Sequence, residues 1–569
     1  MVLAVASIDF GTTYSGWAYS FTHEYEKDPI DIKAKHWNAD QFISNKAPTC
    51  VLIHSDGKTV DSFGYRAENK YEELAQKNEH KTWYYFKHFK MKLFNNLDLR
   101  KQTMLEDATG KQLPALTVIA AFIKFLKDDL MEVLKDRVTG GFTSSDVNWV
   151  LTVPAIWNER AKQFMRMAAR EAGIETGHLS IALEPEAASI FCRHSKLRKS
   201  DLSTDADIST FPPGTQYIVC DAGGGTVDIT VHEVTGEKAL KEVDKASGGA
   251  WGGTQVDAEF EKLMDTIAGC ALIQRLKEEY MDDYMDLKRT FEVKKRDLKT
   301  SSSIVLRIPS IINELVSEMT GCSLQDQIQK SVFKNKISRN RDKLTIDLDV
   351  IESLFGVTIR SITEHLSSLL SKHIHIAYIV MVGGFSESTL LQQRVKDACP
   401  GKHVIIPAEA GLAVLKGAVM FGHNKRCIIS RIARYTYGIS AYAPFDESIH
   451  PASRLWVDKD NTKWAKNTFS KHIELGQQIP IDQSANSCIY DSIAVTSYIH
   501  IFASHVKSPV FADDKGNFLI GEFRLRTTDE SGKMSQFKVD MYFGGTEIQV
   551  KAVLLSNGKE TEVTVDLPD

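Results

Sequence analysis

Asp9-Phe10-Gly11-Thr12-Thr13-Tyr14-Ser15 and Asp221-Ala222-Gly223-Gly224-Gly225-Thr226-Val227-Asp228 repeat one arrangement at two places in the chain. Each follows an apolar run, closes it with an aspartate, and passes through glycine and threonine before extended chain resumes. Such a turn offers backbone N–H groups and hydroxyls to phosphate, and glycine lets the backbone come close. An aspartate repels phosphate unless a hydrated divalent cation lies between them. Asp9 and Asp221 are therefore candidates to hold Mg²⁺ through water, with two facing turns around a nucleotide's phosphate tail. Neither turn fits G-x-x-x-x-G-K-[ST] or a G-x-G-x-x-G opening a helix, which disfavours P-loop and Rossmann sites. The repetition predicts two related lobes around a cleft.

Four more segments belong to the same set. Val147–Pro154 leads through Ala155-Ile156-Trp157-Asn158-Glu159-Arg160 into a helix. Leu183-Glu184-Pro185-Glu186-Ala187-Ala188 puts a carboxylate beside a proline. Met381-Val382-Gly383-Gly384-Phe385-Ser386 is a glycine turn after a strand, fit for close approach to an adenosine. Pro407-Ala408-Glu409-Ala410 precedes Lys416-Gly417-Ala418-Val419 on a late helix.

The elements that must position these residues alternate between strand and helix patterns over the first 425 or so positions, an α/β signature. Val2–Asp9, Val147–Val153, Tyr217–Cys220 and Ile376–Val382 read as buried strands, and Val227–Val234 alternates as a further one. Asn158 caps a helix whose apolar stripe runs Ala161, Phe164, Met165, Ala168, Ala169 and Ala172, ended by Gly173. Residues 198–214 read as an exposed loop. Beyond 425 the pattern turns β-branched and aromatic, in Tyr435–Tyr442, Ile489–Phe502, Phe518–Leu525 and Phe537–Phe543. Asn557-Gly558 between Gln549–Leu555 and Glu560–Asp566 signals a hairpin. The expected division is residues 1–425 in two lobes and an all-β domain over 426–569.

The chain has 569 residues, 43% hydrophobic and 25% charged, with net charge -5. That excludes a disordered or collagen-like chain and gives no bulk attraction to nucleic acid. The 8 cysteines are scattered without a C-x-x-C pair, as expected of buried thiols in a reducing compartment. No apolar run is long enough to span a membrane. The expected location is cytoplasmic.

Taken in order, the two phosphate turns, Thr152-Val153-Pro154-Ala155, Leu183–Ala188 and Val382–Phe385 resemble the actin-like ATPase superfamily, and within it the seventy-kilodalton heat-shock proteins. The runs Gly411–Val419 and Phe89–Leu93, with a short β-rich tail, are similar to the divergent class-twelve branch of that family. The resemblance implies a duplicated actin-like, ribonuclease H-like nucleotide-binding domain that takes ATP or ADP with Mg²⁺. It assigns Asp9 and Asp221 to the hydrated Mg²⁺ and the attacking water, and Glu184 to the metal side and the hinge. Gly11, Thr12, Thr13 and Tyr14 match the first phosphate turn; Gly223, Gly224, Gly225 and Thr226 match the second, with Asp228 trailing. Gly252 and Gly253 match a pair near the ribose, with Asp257 beyond. Glu292, Lys295 and Arg296 match a helix beside the nucleoside, and Gly383 and Gly384 match the adenosine turn. The phosphate-contacting lysine falls at Lys90, with Lys87 as the alternative.

Three positions depart from the family. Phe385-Ser386-Glu387 stands where an adenine-stacking arginine is expected, so either Phe385 supplies the stacking surface or the base is held more loosely. Lys299 replaces a serine. The apolar, acidic linker has become Lys425-Arg426-Cys427-Ile428-Ile429-Ser430-Arg431, and no helical lid follows.

The expected function is that of an ATP-binding, chaperone-like protein with weak ATPase activity, whose nucleotide state controls a polypeptide client or dedicated partner at the β domain. A co-chaperone or nucleotide-exchange partner fits the same resemblance. The alternatives are a nucleotide-gated scaffold with little turnover and, less favoured, a small-molecule kinase of the same fold.

Overall fold

The computed structural model describes residues 2–39, 42–138, 141–194, 208–236, 239–296, 298, 303–481, 483–484, 487–492, 496–526, 535–556 and 558–564. Two sheets carry the duplication. In one, Leu179–Leu183, Val147–Val153 and Ala4–Asp9 run parallel; Ala4–Asp9 then turns back into antiparallel Tyr14–Phe21, which pairs with Lys33–Ala34. In the other, His403–Ile405, Tyr378–Val382 and Gln216–Ala222 run parallel, and Gln216–Ala222 turns back into Val227–Val234 and then Leu240–Gly249. Order and direction are the same in both. Asp9 lies opposite Gly16 in the first hairpin and Asp221 opposite Asp228 in the second.

The central strands are covered on both faces, which is why Val147–Val153 reads as a nearly continuous apolar run rather than an alternating one. Helices Glu184–His194 and Ala413–His423 lie between the sheets. Gly417 permits their close crossing, since a Cβ there would sit 1.7 Å from the Ala187 carbonyl oxygen. Val5, Val150, Ala188, Phe191, Val219, Val380, Leu415 and Val419 form one apolar floor shared by both lobes. The expected helix runs Glu159–Glu171, and the Asn158 side chain accepts the Ala161 N–H at 2.9 Å. Of the segment expected as an exposed loop, residues 198–207 lie outside the described residues. Ile208 and Phe211 are buried, held by the Arg193 guanidinium on both carbonyls; single apolar residues in a polar run carry no periodicity that marks them as core.

The chain passes positions 425 and 426 in a short turn and continues as Ile428–Ile432, a strand parallel to Leu240–Gly249 in the second lobe's sheet. Gln478–Pro480 pairs on its outer side. Two antiparallel sheets follow. One is ordered Leu455–Val457, Lys463–Ile473, Thr436–Pro444, Thr496–Ser504, Asn517–Arg526; the other Cys488–Ser492, Ser535–Tyr542, Gln549–Leu554, Lys559–Thr564. Ile439, Ile501, Phe523, Val539 and Val550 close a shared core between them. The segment read as Ile489–Phe502 is two strands in different sheets, because composition does not encode which sheet a strand joins. Lys463–Ile473 has no counterpart in the sequence reading: its lysines and the left-handed Asn467 (φ 57°) break the alternation. The terminal hairpin pairs Leu554 with Lys559, and Asn557 lies outside the described residues. Among the described residues, none beyond 425 is α-helical, and no helix is long and apolar enough to cross a membrane.

Candidate functional site

The two glycine turns meet face to face. A Cβ on Gly224 would lie 2.1 Å from Thr13 Oγ1, and one on Gly225 would lie 2.5 Å from Thr12 Oγ1. Only glycine allows this approach. Gly11 donates its N–H to Ser15 Oγ at 3.1 Å, and Gly223 donates to the Thr226 carbonyl at 3.0 Å, so these two N–H groups close their own turns. Among the described residues, the N–H groups of Thr12, Thr13, Gly224 and Gly225 have no protein acceptor. They are the donors left for an anion. Behind the second turn, Gly252, Gly253 and Thr254 donate to the carbonyls of Gly225, Gly223 and Gly224, which seats the turn on the start of helix Gly253–Ala268.

Four buried carboxylates surround the point where the strands end: Asp9, Glu184, Asp221 and Asp228. Two lysines answer them. Lys90 Nζ lies 2.7 Å from Glu184 Oε1, and Lys46 Nζ lies 2.5 Å from Asp9 Oδ2. Thr152 donates to the other Asp9 oxygen at 2.8 Å. Burial pushes the Asp9 carboxyl up, but Lys46, Lys90 and the hydrogen bonds outweigh it and hold Asp9 below the usual range. Glu184 is pushed up to about 7, first by burial and then by Asp9 and Asp228, against the pull of Lys90. Asp221 stands well above the usual range because it is buried and faces Glu184, Asp228 and Asp9; Lys46 offsets little of this. Burial also raises Asp228, whose Oδ1 accepts the Ile156 N–H of the opposite lobe at 2.9 Å.

This surplus of buried negative charge, with no hydrogen bond or ion pair to the Asp221 carboxylate among the described residues, fits a divalent cation. Among the same residues no three His, Cys, Asp or Glu side chains are grouped to hold a metal directly. Asp9 and Asp221 at the strand ends would instead meet the ion through its water shell, which suits Mg²⁺.

Lys90 rides on the turn Phe89–Leu93, entered through His88 in a left-handed conformation (φ 56°). Its side chain is buried between the rings of Phe10 and Trp157. Lys87, the alternative, pairs with Glu68 at 2.7 Å away from the carboxylates. Gly383, at φ 85°, lies against Asp221: a Cβ there would be 2.3 Å from Asp221 Oδ1. A Cβ on Gly384 would meet nothing within 4 Å, leaving open space on the expected nucleoside side.

Glu292, Lys295 and Arg296 stand on one face of helix Met281–Arg296, at its end. Lys295 pairs with Asp257 at 2.6 Å and Glu292 at 2.5 Å. The Arg296 guanidinium lies 4.5 Å from the centre of the Tyr14 ring, joining the two lobes at the first turn. Phe385 is buried and stacks with Phe355 at 6.1 Å, beside Gly253. Lys299 lies outside the described residues.

Lys46 and Arg434 escaped the sequence reading. Lys46 sits in Asn45-Lys46-Ala47-Pro48, which has no phosphate-binding pattern; its position follows from the pairing of Ala47–Pro48 with Tyr14–Ser15. Arg434 donates to the Ala155 and Trp157 carbonyls at 2.9 Å each, flanking the residue that Asp228 holds. Arg434 is thus one of several grips of the tail on the rest of the chain: Arg431 pairs with Glu186 through two bonds at 2.7 Å, Arg160 donates to the Leu519 carbonyl at 2.7 Å, Thr546 donates to the Ile181 carbonyl at 2.6 Å, and Arg166 pairs with Glu547.

A family model described as Hsp70 protein matches residues 74–440. The chain is 35% identical to heat shock 70 kDa protein 12A of Homo sapiens over 621 residues, covering 99% of this chain and 91% of that protein. The Mus musculus protein of the same name matches at the same identity and coverage. Heat shock 70 kDa protein 12B of Homo sapiens is 31% identical over 626 residues, covering 99% and 90%.

Proposed function

Because the chain belongs to the Hsp70 family and is an ATP-binding protein of that kind, we propose that it hydrolyses ATP slowly between its lobes and uses nucleotide state to control a polypeptide or dedicated protein partner at the β-rich tail. The observation that carries the reading is the convergence of Asp9, Glu184, Asp221 and Lys90 beneath two facing turns with free N–H groups. The N–H groups of Thr12, Thr13, Gly224 and Gly225 bind the phosphates, and Lys90 balances charge that grows as the terminal phosphoryl departs. Mg²⁺, held through water by Asp9 and Asp221, would screen the phosphate oxygens. Glu184, with its raised affinity for protons, holds and orients the water that attacks. Packed walls make this catalysis by positioning, and slow turnover suits a switch.

The tail receives the state of the cleft through the turn Ala155–Trp157, held by Asp228 from one side and Arg434 from the other. An extended segment adding to an open strand edge of the tail would complete the function. A cytoplasmic location suits the free cysteines among the described residues.

A second reading, a nucleotide-gated scaffold with little turnover, is favoured by Lys46, whose ammonium already occupies one oxygen of Asp9. Single-turnover hydrolysis of ATP-Mg²⁺, alongside a binding titration, separates the two. Phosphate release that disappears in Asp9→Asn and Asp221→Asn supports the ATPase. Tight binding without release supports the scaffold. Absence of nucleotide binding defeats both.

A further inference from the structure

Lys46 is built into the cleft in a way neither the turns nor their spacing requires. Its stem crosses the hairpin at Gly16, the residue paired with Asp9: a Cβ on Gly16 would lie 3.3 Å from Lys46 Cγ. Its neighbours Ala47 and Pro48 pair with Ser15 and Tyr14, and Thr49 donates its N–H to the Thr13 carbonyl at 2.8 Å. Lys46 thus belongs to the wall that carries the first phosphate turn. Thr152 fixes one Asp9 oxygen, while among the described residues the other is held only by the lysine, so the carboxylate stays in place if the lysine leaves. A lysine head is a point charge on a flexible stem and can exchange one anion for another within reach. Among the described residues, Lys46 and Lys90 are the two cations in ion pairs with the four carboxylates, and Lys46 is the more open to solvent, at 17% against 2%.

We propose that Lys46 is an internal counter-cation that makes nucleotide binding here weakly dependent on Mg²⁺, neutralising Asp9 in the empty cleft and turning to the phosphates when nucleotide enters. The proposal rests on the nucleotide-binding reading above and adds to it a residue and a property. A lysine on the phosphates does part of what the ion does for affinity. It does not organise the metal's waters, so binding survives removal of Mg²⁺ better than hydrolysis does.

The test is calorimetric titration of ADP and ATP into the full chain, once in Mg²⁺ and once in EDTA. It uses wild type, Lys46→Met, Lys46→Gln and Lys46→Arg, with a thermal melt of each variant without nucleotide. Wild type should lose less than about tenfold in affinity on removing Mg²⁺, and Lys46→Met and Lys46→Gln should lose about a hundredfold or more. Lys46→Arg should behave as wild type. The idea is overturned if wild type binds in Mg²⁺ and not in EDTA, a result that needs no variant to fold. It is equally overturned if the neutral variants weaken binding by the same factor in both buffers, as a merely structural lysine would. Absence of binding in either buffer removes the nucleotide reading itself, and this proposal with it.

Discussion

The Asp228 carboxylate accepts the Ile156 backbone N–H at 2.9 Å, although the two residues stand in different lobes. Arg434 takes the carbonyls on either side of Ile156, from beyond the second lobe. One three-residue turn is thereby held by a residue of the second glycine turn and by the root of the tail. Asp228→Ala should remove protection of the Ile156 amide and speed its hydrogen exchange about tenfold or more, at a stability cost of about 1–3 kcal/mol. Asp228→Asn, which keeps an acceptor, should retain most of the protection. Amide-resolved exchange of the two variants checks this.

The two candidate lysines should separate cleanly. Lys90→Met removes the cation buried against Glu184 and should weaken ATP binding or single-turnover hydrolysis by about tenfold or more. Lys87→Met disturbs only the pair with Glu68 and should stay within about twofold. Equal effects of the two substitutions would argue against the placement of Lys90 at the phosphates.

Glu242 accepts the Ile432 N–H at 2.7 Å and is pushed up to about 8, by burial first and by Glu186 next, against that N–H and the charges of Arg431 and Arg434. Its folded-state value lies above its unfolded one. The stability it contributes is therefore complete below about pH 4.5 and is lost as pH rises through about 8. Each pH unit inside that window removes up to about 1.4 kcal/mol. Glu242→Gln keeps the acceptor and cannot titrate, so denaturant unfolding between pH 5 and 8 should fall less steeply in this variant than in wild type.

Arg431 and Glu186 form a buried bidentate pair, and Arg431 also donates to the Gly544 carbonyl. Arg431→Leu strands a charge on Glu186 and should cost about 3–5 kcal/mol. Adding Glu186→Leu should recover part of that loss. Unfolding midpoints of the single and double variants measure it; an additive loss in the double variant would mean the pair is not coupled.

The duplicated turns, their aspartates and the ordered strand-and-helix segments around them were legible in the sequence. Local chemistry specifies them: glycine where backbones must touch, aspartate at a strand end, an asparagine cap on Glu159–Glu171. A sequence also marks strands by apolar runs and by alternation, and so Val147–Val153, a run, and Val227–Val234, an alternating segment, have the bounds that their residues predict. The Lys46–Asp9 pair, the grip of Arg434 on the first lobe, the split of Ile489–Phe502 between two sheets and the entry of Ile428–Ile432 into the second lobe's sheet were decided only by tertiary structure. The physical reason is the same for each. A lysine, an arginine or a β-branched run has the same local preference whichever partner it meets, and the partner is chosen by long-range packing that brings distant segments together and by the cost of leaving a buried charge or strand edge unpaired.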